Sequence, residues 1–433
     1  MSKRLKIIVS VIVMLLAAAP LLLKNEKDFS EISNYDGRYC EKLRIAKFES
    51  NNVLYFKCKF KNAGACYDLP SKKGLAAVVS QLLFRKINNF SVGDTNDRLR
   101  KSGIRNLSVR ALHDDTEISF LFLKDRAEES FKFLSSAFSN PTFSDGDSEY
   151  IKEFYPSVLD IDTSHPQSLM AEKIDNLLYE NGSYGMNITG TSQTIPGIGR
   201  EDILNFIKTK FTLKNAEVTF GGNISGFEAE SFLKILFEKL PESYESPVSE
   251  ETPKLLTGNI SKEKLIKINH PGMENIVGIM IGIRTDSLSE FERAARDMLA
   301  DLLFGEYGDF NKGLRAENII SEISYVVSEK EFSDTLYLIA FVDKKDSEKY
   351  RKFAEQKINS YGKKINTKDF KNFKKNFIKF AHNNFIDMNE TDSKVKSKLK
   401  PYEKIDDNIL MSVAKKVFNV ENIRTVIIGS FSD

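Results

Sequence analysis

From Tyr39 onward the chain alternates apolar and polar positions. The stretch "EKLRIAKFESNNVLYFKCKFKNAG" predicts two strands joined at Asn51-Asn52 as a hairpin. A helix is predicted from about Lys72, in "KKGLAAVVSQLLF". Further on, "DTEISFLFLK" reads as a strand and "AEESFKFLSSAFSNP" as an amphipathic helix closed by Asn140-Pro141. Next come a helix in "PQSLMAEKIDNLLYENGSYG" with a glycine-bearing exit, a helix in "REDILNFIKTKF", and a strand in "NAEVTFGGNIS". The polar, proline-bearing stretch Leu240 to Asn259 has the composition of a linker.

The second half repeats the first. "DILNFIKTKF…NAEVTFGGNIS" has a counterpart in "NILMSVAKKVF…NIRTVIIGSFS", which pairs Phe211 with Phe418, Asn215 with Asn422 and Gly222 with Gly429. Earlier, "SQLLF" matches "ADLLF", pairing Phe84 with Phe304. The common order of these matches predicts a duplicated domain of about 200 residues.

The first residues add a location. Lys3, Arg4 and Lys6 precede an apolar run from Ile7 to Leu23 that contains Ala17, Ala18 and Ala19. A basic head, an apolar middle and small residues make an export signal. Pro20 after the alanines disfavours cleavage, and the run is near the shortest length that spans a bilayer, so a retained anchor is the alternative. Either way the body of the protein is expected outside the cytoplasm, in the periplasm or tethered to the inner membrane. The organisation expected is 1–23 signal or anchor, 24–38 tether, 39–239 first domain, 240–259 linker and 260–433 second domain.

Charge excludes one class of partner. Lys and Arg total 63 against 61 Asp and Glu, a net charge of +2, which gives no electrostatic case for nucleic acid. The lysine-interleaved Phe370, Phe373, Phe377 and Phe380 recur at the spacing of one helix face and read as core, with the lysines on the wet side. Three cysteines, Cys40, Cys58 and Cys66, contain no C-x-x-C pair. Cys58 and Cys66 read as buried thiols, or as a bridge in an oxidising compartment.

The ordered landmarks "FKNAGACYDLPSKKGLA", "SNPTF", Tyr184-Gly185, Gly190-Thr191 and "GGNIS" resemble the pitrilysin/insulinase family of zinc peptidases, which includes the mitochondrial processing peptidase. The resemblance runs from about Tyr39 to the end. It implies an α+β, metallohydrolase-like peptidase fold of two homologous domains, each an antiparallel sheet backed by helices. In active members the helix after Gly-Leu-Ala carries H-x-x-E-H, where two imidazoles one turn apart bind zinc and the glutamate activates the metal-bound water. Setting Gly74-Leu75-Ala76 in that register puts Ala77 and Gln81 at the histidine positions and Ser80 at the glutamate position. The third ligand position falls near Pro156 or Ser157, with Glu149 and Glu153 close by. None of Ala77, Ser80 and Gln81 is a zinc ligand or an adequate base. The four histidines, His113, His165, His270 and His382, are scattered and never paired at helical spacing. The expectation is a retained fold with its metal site lost, and no cofactor in this chain.

The resemblance also implies a role without metal. In this family two subunits, or two fused halves, close around a peptide; one carries zinc, and the other contributes an arginine and a tyrosine. "KGLRAENIISEISYVV" matches that segment, which gives Arg315 and Tyr325 as candidate substrate-binding donors to peptide carbonyls. Their separation is longer than the family's and the intervening glycine is missing, although "FGEYGDFNKG" supplies the preceding glycine-bearing turn. Two functions follow as expectations. One is a non-catalytic subunit that acts with an HxxEH-bearing paralogue, which would hold the zinc, on a peptide or unfolded substrate. The other is a structural or peptide-binding scaffold with no part in proteolysis.

Overall fold

A computed structural model describes residues 31–35, 37–47, 52–139, 165–243, 252–306, 308–319, 321–365, 370–378 and 401–431, with separate positions between 141 and 155. Two sheets organise it. The first has six strands in the order β1-β2-β6-β3-β5-β4 and the second five in the order β7-β11-β8-β10-β9. The strands are β1 Glu31–Tyr35, β2 Lys42–Lys47, β3 Val53–Lys61, β4 Arg105–Ala111, β5 Asp115–Leu123, β6 Ala216–Gly221, β7 Leu265–Asn269, β8 Ile276–Asp286, β9 Ser321–Glu329, β10 Ser333–Asp343 and β11 Ile423–Gly429. The helices are α1 Leu75–Leu82, α2 Val92–Lys101, α3 Ala127–Ser139, α4 Pro166–Leu178, α5 Arg200–Lys210, α6 Gly226–Phe237, α7 Thr252–Thr257, α8 Glu290–Phe304, α9 Asp309–Ala316, α10 Ser347–Tyr361 and α11 Asp407–Val417.

The duplication is visible in the topology. With β1 set aside, the two sheets have the same strand order. In each, the last strand pairs parallel to the first and antiparallel to the second: β6 lies between β2 and β3, β11 between β7 and β8. The sheets are therefore mixed, with one parallel pair each, rather than purely antiparallel. The matched residues hold equivalent places. Phe211 and Phe418 end α5 and α11, and Asn215 and Asn422 each close a short 3-10 turn leading into β6 and β11.

Three further expectations change. β2 and β3 are not a hairpin, because β6 inserts between them. Alternation identifies a strand but not its neighbour, and the competing partner lies far along the chain. Part of the expected tether, Glu31–Tyr35, forms the edge strand β1 on β2. Within the expected linker, Thr252–Thr257 is helical and buries Leu256. The N-terminal apolar run, Phe380 and His382 lie outside the described residues. Among the described residues no helix is long and apolar enough to cross a membrane.

The first core is rich in phenylalanine. Phe56 stacks on Phe120 with centroids 4.7 Å apart and meets Phe131 and Phe220 edge-on, while Phe60 stacks on Phe211 at 4.5 Å. Such pairs contribute roughly 0.5–1.5 kcal/mol each beyond the area they bury. Phe370, Phe373 and Phe377 join the second core, as their spacing predicted.

The other faces of the sheets differ. Lys57, Lys59 and Lys61 alternate out from β3 and pair with Glu117, Asp115 and Glu41 at 2.6, 2.8 and 3.1 Å. The second sheet instead meets α4: Met170, Ile174, Leu177 and Leu178 pack on Met280, Val426 and Ile428. A helix from the first half of the sequence thus covers the sheet of the second half. Gly278 and Gly282 of β8 let it approach, since a Cβ on Gly282 would stand 2.6 Å from Leu178 Cδ1 and 2.8 Å from Ile174 Cγ1.

Candidate functional site

The start of α1 is built by contacts from afar. Asp68, buried, accepts the backbone N–H of Gly74 at 3.0 Å and of Ala76 at 3.2 Å, supplying the N-terminal cap that glycine cannot. Burial pushes its carboxyl up to about 7, against the lowering effect of those N–H groups. Gly74 has φ +94°, and a Cβ there would strike Thr189 O and Gly190 Cα. The two motifs Gly74-Leu75-Ala76 and Gly190-Thr191 are therefore one close backbone contact, held by Thr194 Oγ1 donating to Lys73 O at 2.7 Å. Tyr184 of the Tyr184-Gly185 landmark donates its hydroxyl to Asp114 at 2.5 Å.

One turn into α1, Ala77, Ser80 and Gln81 line a cavity of about 280 Å³. Its other walls are Val109 to Leu112 at the edge strand β4, Tyr150, Tyr155, Ile188 and Thr189. The segment carrying the tyrosines is pinned to α1's end by Arg85, which lies 3.7 Å over the Tyr150 ring and 2.7 Å from Asp147. The three sequence-predicted positions thus share one site.

That site does not fit zinc, which takes imidazole, thiolate or carboxylate donors. Ala77 has no donor atom, Ser80 Oγ donates to its own helix at Ala76 O (2.8 Å), and Gln81 is an exposed carboxamide. Glu149 and Glu153 are exposed, and Pro156 and Ser157 lie outside the described residues. His113, His165 and His270 sit apart from this cavity. Cys40, Cys58 and Cys66 are free and buried, and burial holds all three thiols protonated, Cys40 pushed up to about 12.

A second, larger cavity of about 520 Å³ brings Arg315 and Tyr325 together. Arg315 is exposed near the end of α9, its Nη2 donating to Glu306 O at 3.3 Å. Tyr325 projects from β9 and donates its hydroxyl to Asp301 Oδ1 at 3.4 Å. Burial, with the Asp301 charge, raises the phenol's pKa and keeps it a donor. Burial raises Asp301 as well, against the Tyr325 hydrogen bond.

Sequence reading missed Asp301. The signal was present: matching "SQLLF" to "ADLLF" sets Asp301 on Gln81, and the sheet orders set β9 on β4. The two cavities are the same place in the two repeats.

Residues 197–377, which contain the second cavity, match the family model described as Peptidase M16 inactive domain. Among curated relatives, an uncharacterized zinc protease of Rickettsia bellii is 21% identical over 246 residues, 56% of this chain and 56% of that protein. Another, of Rickettsia felis, is 21% identical over 185 residues, 42% and 44% of the two chains. The chain matches about half the length of these relatives. Among solved structures, the peptidase M16 inactive domain from Pseudomonas fluorescens superposes with a TM-score of 0.79 at 16% identity, covering 93% of this chain and 98% of that one. A protease from Helicobacter pylori gives 0.75 at 13%, covering 92% and 99%. The first half of the periplasmic protease PqqL from Escherichia coli gives 0.73 at 11%, covering 94% and 93%. At these identities the structural likeness establishes the fold.

Proposed function

We propose that this chain, whose fold is that of the M16 peptidases, is the non-catalytic half of an extracytoplasmic peptidase. It closes the chamber and holds a peptide while an HxxEH-bearing partner, carrying the zinc, cuts it. One observation carries the reading: the helix face that binds metal in hydrolysing relatives here presents Ala77, Ser80 and Gln81 to a cavity walled by tyrosines, aliphatic side chains, Arg110 and Thr189. Hydrolysis needs a polarising ion or a positioned base, and this face supplies neither. What the chain retains is a way to hold an extended peptide. Both cavities adjoin strands, β4 and β9, whose outer edges have no neighbour among the described strands, and a peptide can add there through its backbone. The Arg315 guanidinium, exposed at the mouth of the larger cavity, is placed to donate to a peptide carbonyl.

Location outside the cytoplasm rests on the basic-apolar N-terminus, and is supported by likeness to a protease described as periplasmic. The deciding experiment purifies the chain from its native host and identifies co-purifying proteins. Peptide cleavage is then measured for the partner alone, with this chain, and with Arg315→Ala. The reading expects an HxxEH-bearing protein and cleavage that depends on the chain. Cleavage unchanged by omitting it would leave a scaffold, and chelator-sensitive cleavage by the purified chain alone would overturn the reading.

A further inference from the structure

One end of the first sheet combines exposed apolar side chains with unpaired cations. Register fixes which residues share that end: Glu31 faces Lys47, Val53 faces Leu123, and Tyr55 faces Gly221, where β6 stops and the chain turns into α6. Val53 is 46% exposed there, and Phe227, in the first turn of α6, is 83% exposed. Exposed apolar groups gathered at one place mark a surface that meets something. Lys124 ties the two together, its backbone N–H donating to Asn52 O at 2.8 Å and its Nζ to Asn223 O at 2.7 Å. Arg126 donates to Lys101 O, and Arg105 donates to Arg100 O at 2.7 Å. Lys101, Arg105 and Arg126 are thus gathered around the end of α2, all exposed and, among the described residues, in no ion pair. Two acids at this end are already engaged, Glu228 with Lys124 at 2.9 Å and Asp125 with Asn52 Nδ2 at 2.9 Å. The other end of the same strands leads to the cap of α1, where Gly64 N–H donates to Asp114 O at 3.1 Å. The nine residues of β3 separate the two ends by about 30 Å.

The chain that precedes β1 says what this end meets. The apolar run, residues 7–23, is followed by only seven residues, 24–30, before Glu31 begins β1 at this same end. Seven residues reach at most about 25 Å. We propose that this end of the first domain is a membrane-facing surface. With residues 7–23 kept as an anchor, Phe227 and Val53 enter the headgroup boundary of the bilayer, and Lys101, Arg105 and Arg126 meet the phosphates of anionic lipids. An apolar anchor and a basic patch are the two signals that together give stable attachment. The cap of α1 and the cavity beside it then point away from the bilayer. The inference rests on the extracytoplasmic location proposed above, and is independent of the peptide-holding role.

The test labels the full chain with a fluorophore at one introduced cysteine, Val53→Cys or Leu69→Cys. The native thiols are buried, so the introduced one reacts selectively. Leu69 is the control, 67% exposed and next to Asp68 at the opposite end. The chain is reconstituted in vesicles of phosphatidylethanolamine and phosphatidylglycerol that carry a lipid-borne quencher. The label at position 53 is expected to be quenched by the lipid and shielded from aqueous iodide, and the label at position 69 the reverse. Adding Lys101→Gln should lower the ratio of apposed to free chains about fivefold, the weight of one cation at an anionic surface, with no change in phosphatidylcholine vesicles. Adding Phe227→Ser should lower it in both kinds of vesicle. Equal lipid quenching at the two positions, or none at position 53, overturns the surface. A label at position 53 shielded from iodide yet out of reach of the lipid quencher shows a second protein copy there, and overturns it too. So does recovery of the chain from its native host in the soluble fraction with residues 1–23 removed. The peptide-holding reading survives each of these results, because cleavage decides it.

Discussion

The backbone N–H of Glu331 donates to Asp114 Oδ2 at 2.9 Å, joining residues 217 positions apart. Asp114 uses its other oxygen for the Tyr184 hydroxyl, and Tyr67 donates to the Glu331 carboxylate at 3.3 Å. Nearby, Lys330 lies 4.5 Å over the Tyr179 ring, and the Tyr179 hydroxyl is 3.0 Å from Ser333 Oγ. The turn between β9 and β10 is thus seated in the first domain, beside the Cys66 to Asp68 segment that caps α1. The seam connects the strand carrying Tyr325 to the helix carrying Ala77, Ser80 and Gln81.

Tyr184→Phe removes a hydrogen bond to a buried carboxylate and should cost about 1.5–3 kcal/mol. Urea unfolding measures it. If the seam couples the domains, the variant's single transition should broaden or split; an unchanged midpoint would show that Asp114 is satisfied without Tyr184.

Gly282→Val places side-chain atoms where Leu178 and Ile174 of α4 already pack. Overpacking of this kind costs roughly 1–3 kcal/mol. The strand direction is kept, so the loss should appear as earlier proteolysis around α4 and a lower melting temperature, with strand content by circular dichroism unchanged.

Arg296 is 2% exposed and lies 3.2 Å from Asp334, itself buried, and 2.5 Å from Glu329 on β9. Arg296→Ala leaves the Asp334 charge to Arg293, 3.1 Å away, and should destabilise by about 1.5–3 kcal/mol. The Arg296→Ala, Asp334→Leu double variant should lose more still, because Asp334 also pairs with Arg293 at 3.1 Å and accepts the Leu288 N–H at 2.8 Å, and both are then orphaned. Chemical denaturation of the single and double variants decides it.

His113 gives the chain an acid-sensitive point. Its Nε2 is buried with no hydrogen-bond partner among the described residues. Burial, then the positive charges of Lys330 and Lys73, holds the imidazole down at about 3. Unfolding releases it to its ordinary value near 6.5, so between about 6.5 and 3 the unfolded chain binds the extra proton. Stability from this residue is complete above that window and falls as pH drops through it. His113→Gln should flatten the decline of melting temperature with acid across the window; a slope equal to the parent's would place the sensitivity elsewhere.

Periodicity alone placed eight elements of the first half, β2, β3, β5, β6, α1, α3, α4 and α5. The phenylalanine stripe from Phe370 to Phe377, the alternation in Val53–Lys61 and the helix from Leu75 follow from side-chain direction at 3.6 and 2 residues per repeat. These are local consequences of the chain and need no partner. The repeat was equally legible, since residues such as Phe211 and Phe418 occupy matching turns. So was the chemical poverty of Ala77, Ser80 and Gln81, because lacking an imidazole, a thiolate or a carboxylate is a property of the residue itself. Tertiary structure decided who neighbours whom. It put β6 between β2 and β3, carried α4 onto the second sheet, and turned Asp301, one acid among many in the sequence, into a half-buried carboxylate beside Tyr325. The reason is physical: hydrogen-bond partners, burial and the field at a charge depend on groups hundreds of residues away, and no local pattern encodes which of them arrives.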